Sequence, residues 1–201
     1  MTDIQFDLQG SVLPKDNNYV LYQQLVRLLP WLETEKMAGI HAIHGAATGE
    51  GELVRGQGDL ILNRRTKLVI RLPKARVADI AKLSGQTISV AGHSLQIGAS
   101  KLRPITLHIP LYAHCVTTGS DDETVFAAEV IRLLDDMHID CRFICGRQQA
   151  IMTADGAVPG YSLMLHGMGI EHAIKIQETG LGGHRKVGCG IFIPHKSIKA
   201  L

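Results

Sequence analysis

The chain has 201 residues, 45% hydrophobic and 20% charged, with a formal net charge of +2. That length suits one ordinary domain or two small ones, and the apolar share is enough for packed cores, which excludes a mostly disordered chain. No apolar run reaches the length of a membrane span, and the first residues have neither the basic start nor the apolar stretch of a signal peptide, so a cytoplasmic protein without a membrane partner is expected.

Residues 4–8 alternate as a strand through Ile4, Phe6 and Leu8, ended by Gly10 and Pro14. Residues 19–32 carry Val20, Leu21, Leu25, Leu28, Leu29 and Leu32 at helical spacing, with Asp16, Asn17 and Asn18 as capping residues. A strand is compatible with 39–46, and strand segments follow at 60–62 and 67–72. A short helical pattern runs over 74–83. Residues 87–97, with Gly92 at the centre, read as a last strand or hairpin. The order is β-α-β-β-α-β.

The second half repeats it. Residues 106–116 are strand-like, and Asp121, Asp122 and Glu123 open a helix through Val125, Ala128, Val130, Ile131 and Leu134, where acids complement the helix dipole. Residues 141–145 and 162–165 read as a strand pair across a polar loop, 169–177 as a helix, and 190–193 as the last strand. Two such units predict an α+β fold of tandem ferredoxin-like (RRM-like) domains, 1–99 and 105–201, joined near 100–104.

A glycine-rich loop lies between the last helix and last strand: Gly180-Leu181-Gly182, five residues, then Gly188-Cys189-Gly190. Glycine carries no side chain to hold a ligand away from main-chain N–H groups, and His184, Arg185 and Lys186 supply charge at the tip. No carboxylate follows Glu178. The loop therefore reads as a phosphate-contacting element, facing a cleft between the domains. Residues 63–76 hold six Lys or Arg and no carboxylate, and 80–120 hold no acid at all. Such asymmetry favours an anionic partner despite the modest net charge, although cations also serve simply to solvate strand edges.

Standard nucleotide motifs are missing, since position 185 is arginine rather than the third glycine of a dinucleotide fingerprint and no Gly-Lys-Ser/Thr occurs. Cys141 and Cys145 have no second close pair, and the carboxylates sit mainly at helix ends, so no metal and no cofactor are expected. The four cysteines read as buried thiols. Among ten histidines, His41 and His44 stand out between Gly39 and Gly45 just after the first helix, because imidazole can both take and give a proton near neutral pH. The plainer reading of the pair is one ordinary polar residue and one core histidine.

The glycine spacing at 180–190, ending tandem ferredoxin-like domains, resembles the CRISPR-associated endoribonucleases of the RAMP superfamily that process precursor crRNA (Cas-six type). Several strings look like the Myxan subtype: Leu13-Pro14 before a Tyr19/Tyr22 helix, Pro30-Trp31-Leu32, Gly39-Ile40-His41, Arg64-Arg65 through Arg71-Leu72-Pro73, and 188–196. The resemblance implies a metal-independent ribonuclease that binds and cuts CRISPR repeat RNA, the ribose 2′-OH attacking its own 3′-phosphate to leave a 2′,3′-cyclic phosphate and a 5′-OH. It implies His41 as the catalytic histidine with His44 as its rival, and Tyr22 and Lys36 as groups that orient or stabilise the phosphate. RNA contacts would come from Arg64, Arg65, Lys67, Arg71, Lys101 and Arg103, from Gly180, Gly182, His184, Arg185, Lys186, Gly188 and Gly190, and from His195 and Lys196. In the family such a protein often keeps its crRNA and joins other Cas subunits in a surveillance complex. The alternatives are an RNA-binding scaffold without catalysis and a small-molecule phosphate enzyme on the same scaffold.

Overall fold

Alternation at Ile4, Phe6 and Leu8 turns one face of the first strand, β1 (Thr2–Gln9), into a core and puts Asp3, Gln5 and Asp7 on the other face. The computed structural model describes residues 1–48, 51–52, 54–55 and 58–195. The chain divides into two units, Met1–Pro104 and Ile105–Leu201.

In the first unit β1 is followed by α1 (Asn18–Leu28), β2 (Gly39–Ile40), β3 (Lys67–Leu72), α2 (Val77–Ile80) between two 3-10 turns, β4 (Thr87–Val90) and β5 (His93–Arg103). The sheet order is β2-β3-β1-β5-β4, with every neighbouring pair antiparallel. Leu21 and Leu25 of α1 pack with Ile4, Phe6, Leu68, Ile70 and Leu95 in one core. The helix expected over 19–32 is two pieces, because the residue before a proline is pushed out of the helical region. Leu29, ahead of Pro30, has φ −134° and ψ 79°, and a separate turn follows at Trp31–Thr34. There the Arg76 guanidinium lies over the Trp31 ring, 4.9 Å from its centroid.

The strand expected over 39–46 shrinks to Gly39–Ile40, with Ala47–Thr48 pairing separately with Gly51–Glu52. Residues 87–97 form a hairpin turning at Ala91 and Gly92, both at positive φ. Its second strand, β5, runs on to Arg103, so the stretch expected as the join between units pairs with β1 instead, Ser100 opposite Phe6 and Arg103 opposite Asp3.

The second unit contains β6 (Leu111–Val116), α3 (Glu123–Asp136), β7 (Arg142–Thr153), β8 (Gly156–His166), α4 (Ile170–Thr179) and β9 (Ile193–Pro194), in the sheet order β7-β8-β6-β9. Asp122 caps α3, its Oδ1 accepting from the backbone N–H groups of Thr124 (2.8 Å) and Val125 (3.0 Å). Phe126, Val130 and Leu134 then form the buried stripe of that helix against Leu163, Leu165 and Phe192. Three expectations change here. β6 starts at Leu111 rather than 106, the polar stretch 146–161 is a long hairpin rather than a loop, and the final strand is only Ile193–Pro194.

In the second unit the strands lie in the order second, third, first, fourth, and the first unit follows the same order except that the β4–β5 hairpin stands in the last place, with β5 beside β1. That is the antiparallel ferredoxin-like arrangement, twice over. Among the described residues no helix is long and apolar enough to cross a membrane.

Candidate active site and nucleic-acid interface

On the face of the first sheet opposite the core, register brings three charged residues into one row: Arg71 of β3 and Arg103 of β5 both lie across from Asp3 of β1. Asp3 and Arg71 make a two-pronged ion pair. Arg71 Nε donates to Oδ1 at 2.7 Å and Nη2 to Oδ2 at 2.9 Å. The Arg71 side chain is only 1% exposed and Asp3 15%. Burial pushes the Asp3 carboxyl up, but the Arg71 guanidinium, and after it the His41 imidazole, outweigh that and hold it well below the usual carboxylate range.

His41 sits one residue beyond β2. Its backbone N–H donates to Val69 O at 2.9 Å, which fixes it beside β3. Its Nε2 lies 3.8 Å from Asp3 Oδ1, an ion-pair distance rather than a hydrogen bond, and the ring is 16% exposed. The structure thus joins His41 to Asp3, a residue that the sequence pattern does not single out. It also takes Arg71 out of the expected RNA-contact set, because a buried guanidinium committed to a carboxylate cannot also present itself to solvent-borne phosphate.

The other catalytic candidates are placed differently. His44 is exposed, as is Lys36. Tyr22 is half-buried on α1, with its ring 6.3 Å from that of Tyr19; burial, then Glu33 and Tyr19, push its hydroxyl pKa up. Among the described residues no hydrogen bond or ion pair joins Tyr22 or Lys36 to His41.

Arg64 and Arg65 are exposed on a turn built by Asn63, whose Oδ1 accepts from Arg65 N (2.8 Å) and Thr66 N (3.2 Å). Lys67 is partly committed, donating to Asp7 Oδ1 at 2.8 Å and to Arg64 O at 2.7 Å. Lys101 and Arg103 are exposed on β5.

The glycine-rich loop differs from expectation in a way that changes its meaning. Several main-chain donors expected to meet phosphate are used within the unit. Leu181 N donates to Gly190 O, Gly183 N to Thr117 O, Cys189 N to His184 O and Gly190 N to Cys115 O, at 2.8–3.3 Å. The glycines serve this self-packing. Gly190 has φ +64°, and a Cβ there would overlap Leu181 O; one on Gly182, at φ +74°, would overlap Thr117 O. So the neck, including Gly180 and Gly188, is closed onto itself and onto the end of β6. Arg185 folds back so that its guanidinium lies against Gly180, with its nitrogens buried. His184 stays exposed in a left-handed conformation, φ +62°, with Nδ1 3.0 Å from Thr117 Oγ1. Lys186 is half-buried. His195 is half-buried, with its backbone N–H on Pro110 O and its ring 5.4 Å from that of Tyr112, and Lys196 lies outside the described residues.

Comparison with known proteins identifies the family and the fold. The family described as Cas6 Crispr matches residues 2–197. Over 193 residues the chain is 32% identical to the CRISPR-associated endonuclease Cas6 of Myxococcus xanthus (strain DK1622), covering 96% of this chain and 80% of that protein. A solved structure described as a RAMP protein binding different RNA substrates shares the fold with a TM-score of 0.73 and 14% identity, covering 98% of this chain and 100% of the other. Another, of a CRISPR associated protein Cas6, does so at 0.70 and 12%, covering 97% and 99%.

Proposed function

The chain belongs to the Cas6 family of CRISPR-associated endonucleases, and from that starting point we propose that it cuts the repeats of precursor crRNA without a metal ion. The observation that carries this reading is the placement of His41 just after β2, with its imidazole beside the Asp3–Arg71 pair. A base takes the proton of the 2′-OH, the 2′-oxygen forms a bond to phosphorus, the bond from phosphorus to the 5′-oxygen breaks, and the leaving oxygen takes up a proton. Imidazole suits either proton transfer at neutral pH. Exposed cations offset the charge that gathers on the phosphoryl oxygens. Arg64, Arg65, Lys101 and Arg103 meet the repeat through its backbone, as A-form RNA allows. The product crRNA stays bound, and other Cas subunits assemble on it.

Purified protein with its cognate repeat RNA in EDTA tests the proposal. Cutting should leave 2′,3′-cyclic phosphate and 5′-OH ends, and a 2′-deoxy residue at the scissile position should abolish it. His41→Ala should slow cutting by roughly 10²–10⁴-fold with RNA affinity retained. No cutting in EDTA removes the metal-free mechanism. Full activity of His41→Ala passes the role to exposed His44, checked with His44→Ala.

A further inference from the structure

We propose that Asp3 is a positioning residue for His41, and that Arg71 holds Asp3 in place for that task; this rests on the reading that His41 moves a proton during cleavage. The three residues come from strands adjacent in the sheet, not from one segment. β1 supplies the carboxylate, β3 the guanidinium, and the chain leaving β2 the imidazole. Each is nearly enclosed, so rotamer freedom is small and the ion pair acts in a medium less polarisable than water.

Two features favour positioning over a purely structural salt bridge. Arg71 grips both oxygens of Asp3, which fixes the plane of the carboxylate and leaves Oδ1 aimed at both Arg71 Nε and His41 Nε2. A carboxylate lying next to Nε2 favours the tautomer with the proton there, and so assigns the proton-transfer work to Nδ1. The logic is that of the carboxylate that orients a catalytic histidine in serine hydrolases. The 3.8 Å separation is of the kind that tightens once substrate is bound.

Beside this imidazole lies the Asp3 carboxylate of β1, itself paired with Arg71 of β3 and with Arg103 of β5 across from it in the sheet. Near neutral pH the charges of Asp3 and Arg71 are opposite and cancel at a distance. Asp3 therefore sets where the imidazole proton sits more than it sets the total charge of the site.

The test uses the full chain with repeat RNA in single-turnover assays, and 15N NMR of the histidine side chains. Asp3→Asn keeps the shape and removes the charge, but it strands the Arg71 guanidinium in a buried site, so Asp3→Asn/Arg71→Gln is made alongside it. In both variants the cleavage rate constant should fall by roughly ten- to a thousandfold while the Kd for RNA stays within about twofold. The 15N shifts of His41 should show the loss of its Nε2–H preference. In Asp3→Asn, where a cation is left behind, the His41 titration and the corresponding limb of the pH–rate profile should move to lower pH. Asp3→Glu should recover part of the rate. Unchanged rate and unchanged His41 tautomer in the double variant overturn the proposal. If His41→Ala itself cuts at full rate, the catalytic reading fails instead, and the tautomer measurement still decides whether Asp3 orients the ring.

Discussion

At the scale of single residues, the Asp3–Arg71 pair ties stability to pH with a definite sign. The folded carboxyl titrates below its unfolded value of about 3.9, so its contribution is present above that value and is lost as pH falls through and beneath it. Lowering the pH from about 5 to about 3 should therefore reduce the urea midpoint of the wild-type chain more than that of Asp3→Asn/Arg71→Gln. Equal losses would show that the pair adds nothing to folding. His41 is legible in the sequence as a histidine between glycines after a helix. Asp3 is not, because a carboxylate on the outer face of a strand reads as solvated until the neighbouring strands are known. The available signal is Arg71 itself: an arginine inside the apolar run Val69-Ile70-Arg71-Leu72 calls for a buried partner.

At the scale of elements, the glycine-rich loop separates positions that look alike in sequence. Alanine at Gly190 meets both a positive φ and the carbonyl of Leu181, whereas the nearest atom to a Cβ on Gly183 is Thr117 Oγ1 at 3.6 Å. Gly190→Ala should cost about 1–3 kcal/mol in chemical denaturation, and Gly183→Ala well under 1 kcal/mol. Similar costs at both would remove the closed-neck description. The elements themselves are readable wherever hydrophobic periodicity is long, as in β1, α1 and α3. The β7–β8 hairpin is hidden because the stretch between 145 and 162, with Gly156 and Gly160, reads as a polar loop. In the structure Gly160 lies where β6 presses on β8, since a Cβ would come within 2.7 Å of Cys115 Sγ. Pro159 pairs with Ala150 beyond the stretch of β8 that β6 covers, so its missing N–H breaks no second ladder. The turn at Leu29-Pro30 is hidden for the opposite reason: the apolar spacing runs straight through it.

At the scale of the whole molecule, the proposed RNA binding depends on charge placement rather than on net charge. Arg64, Arg65, Lys101 and Arg103 are exposed, while Arg71 is enclosed. Replacing any one of the four exposed cations by Gln should flatten the slope of log K against log salt by about 0.7–0.9 for each phosphate that the side chain neutralises. If no single replacement moves the slope, these cations do not carry the RNA. The two units also have separate cores, so unfolding of the chain need not be a single transition. The one tryptophan, Trp31, sits in the first unit with Arg76 over its ring. Intrinsic tryptophan fluorescence of this protein is thus a local probe. It reports on the half that holds His41 and is blind to the half that holds the glycine-rich loop, whereas circular dichroism averages both. A denaturation curve followed by emission therefore belongs to residues 1–104 alone, and any gap between the two signals measures how independently the halves melt.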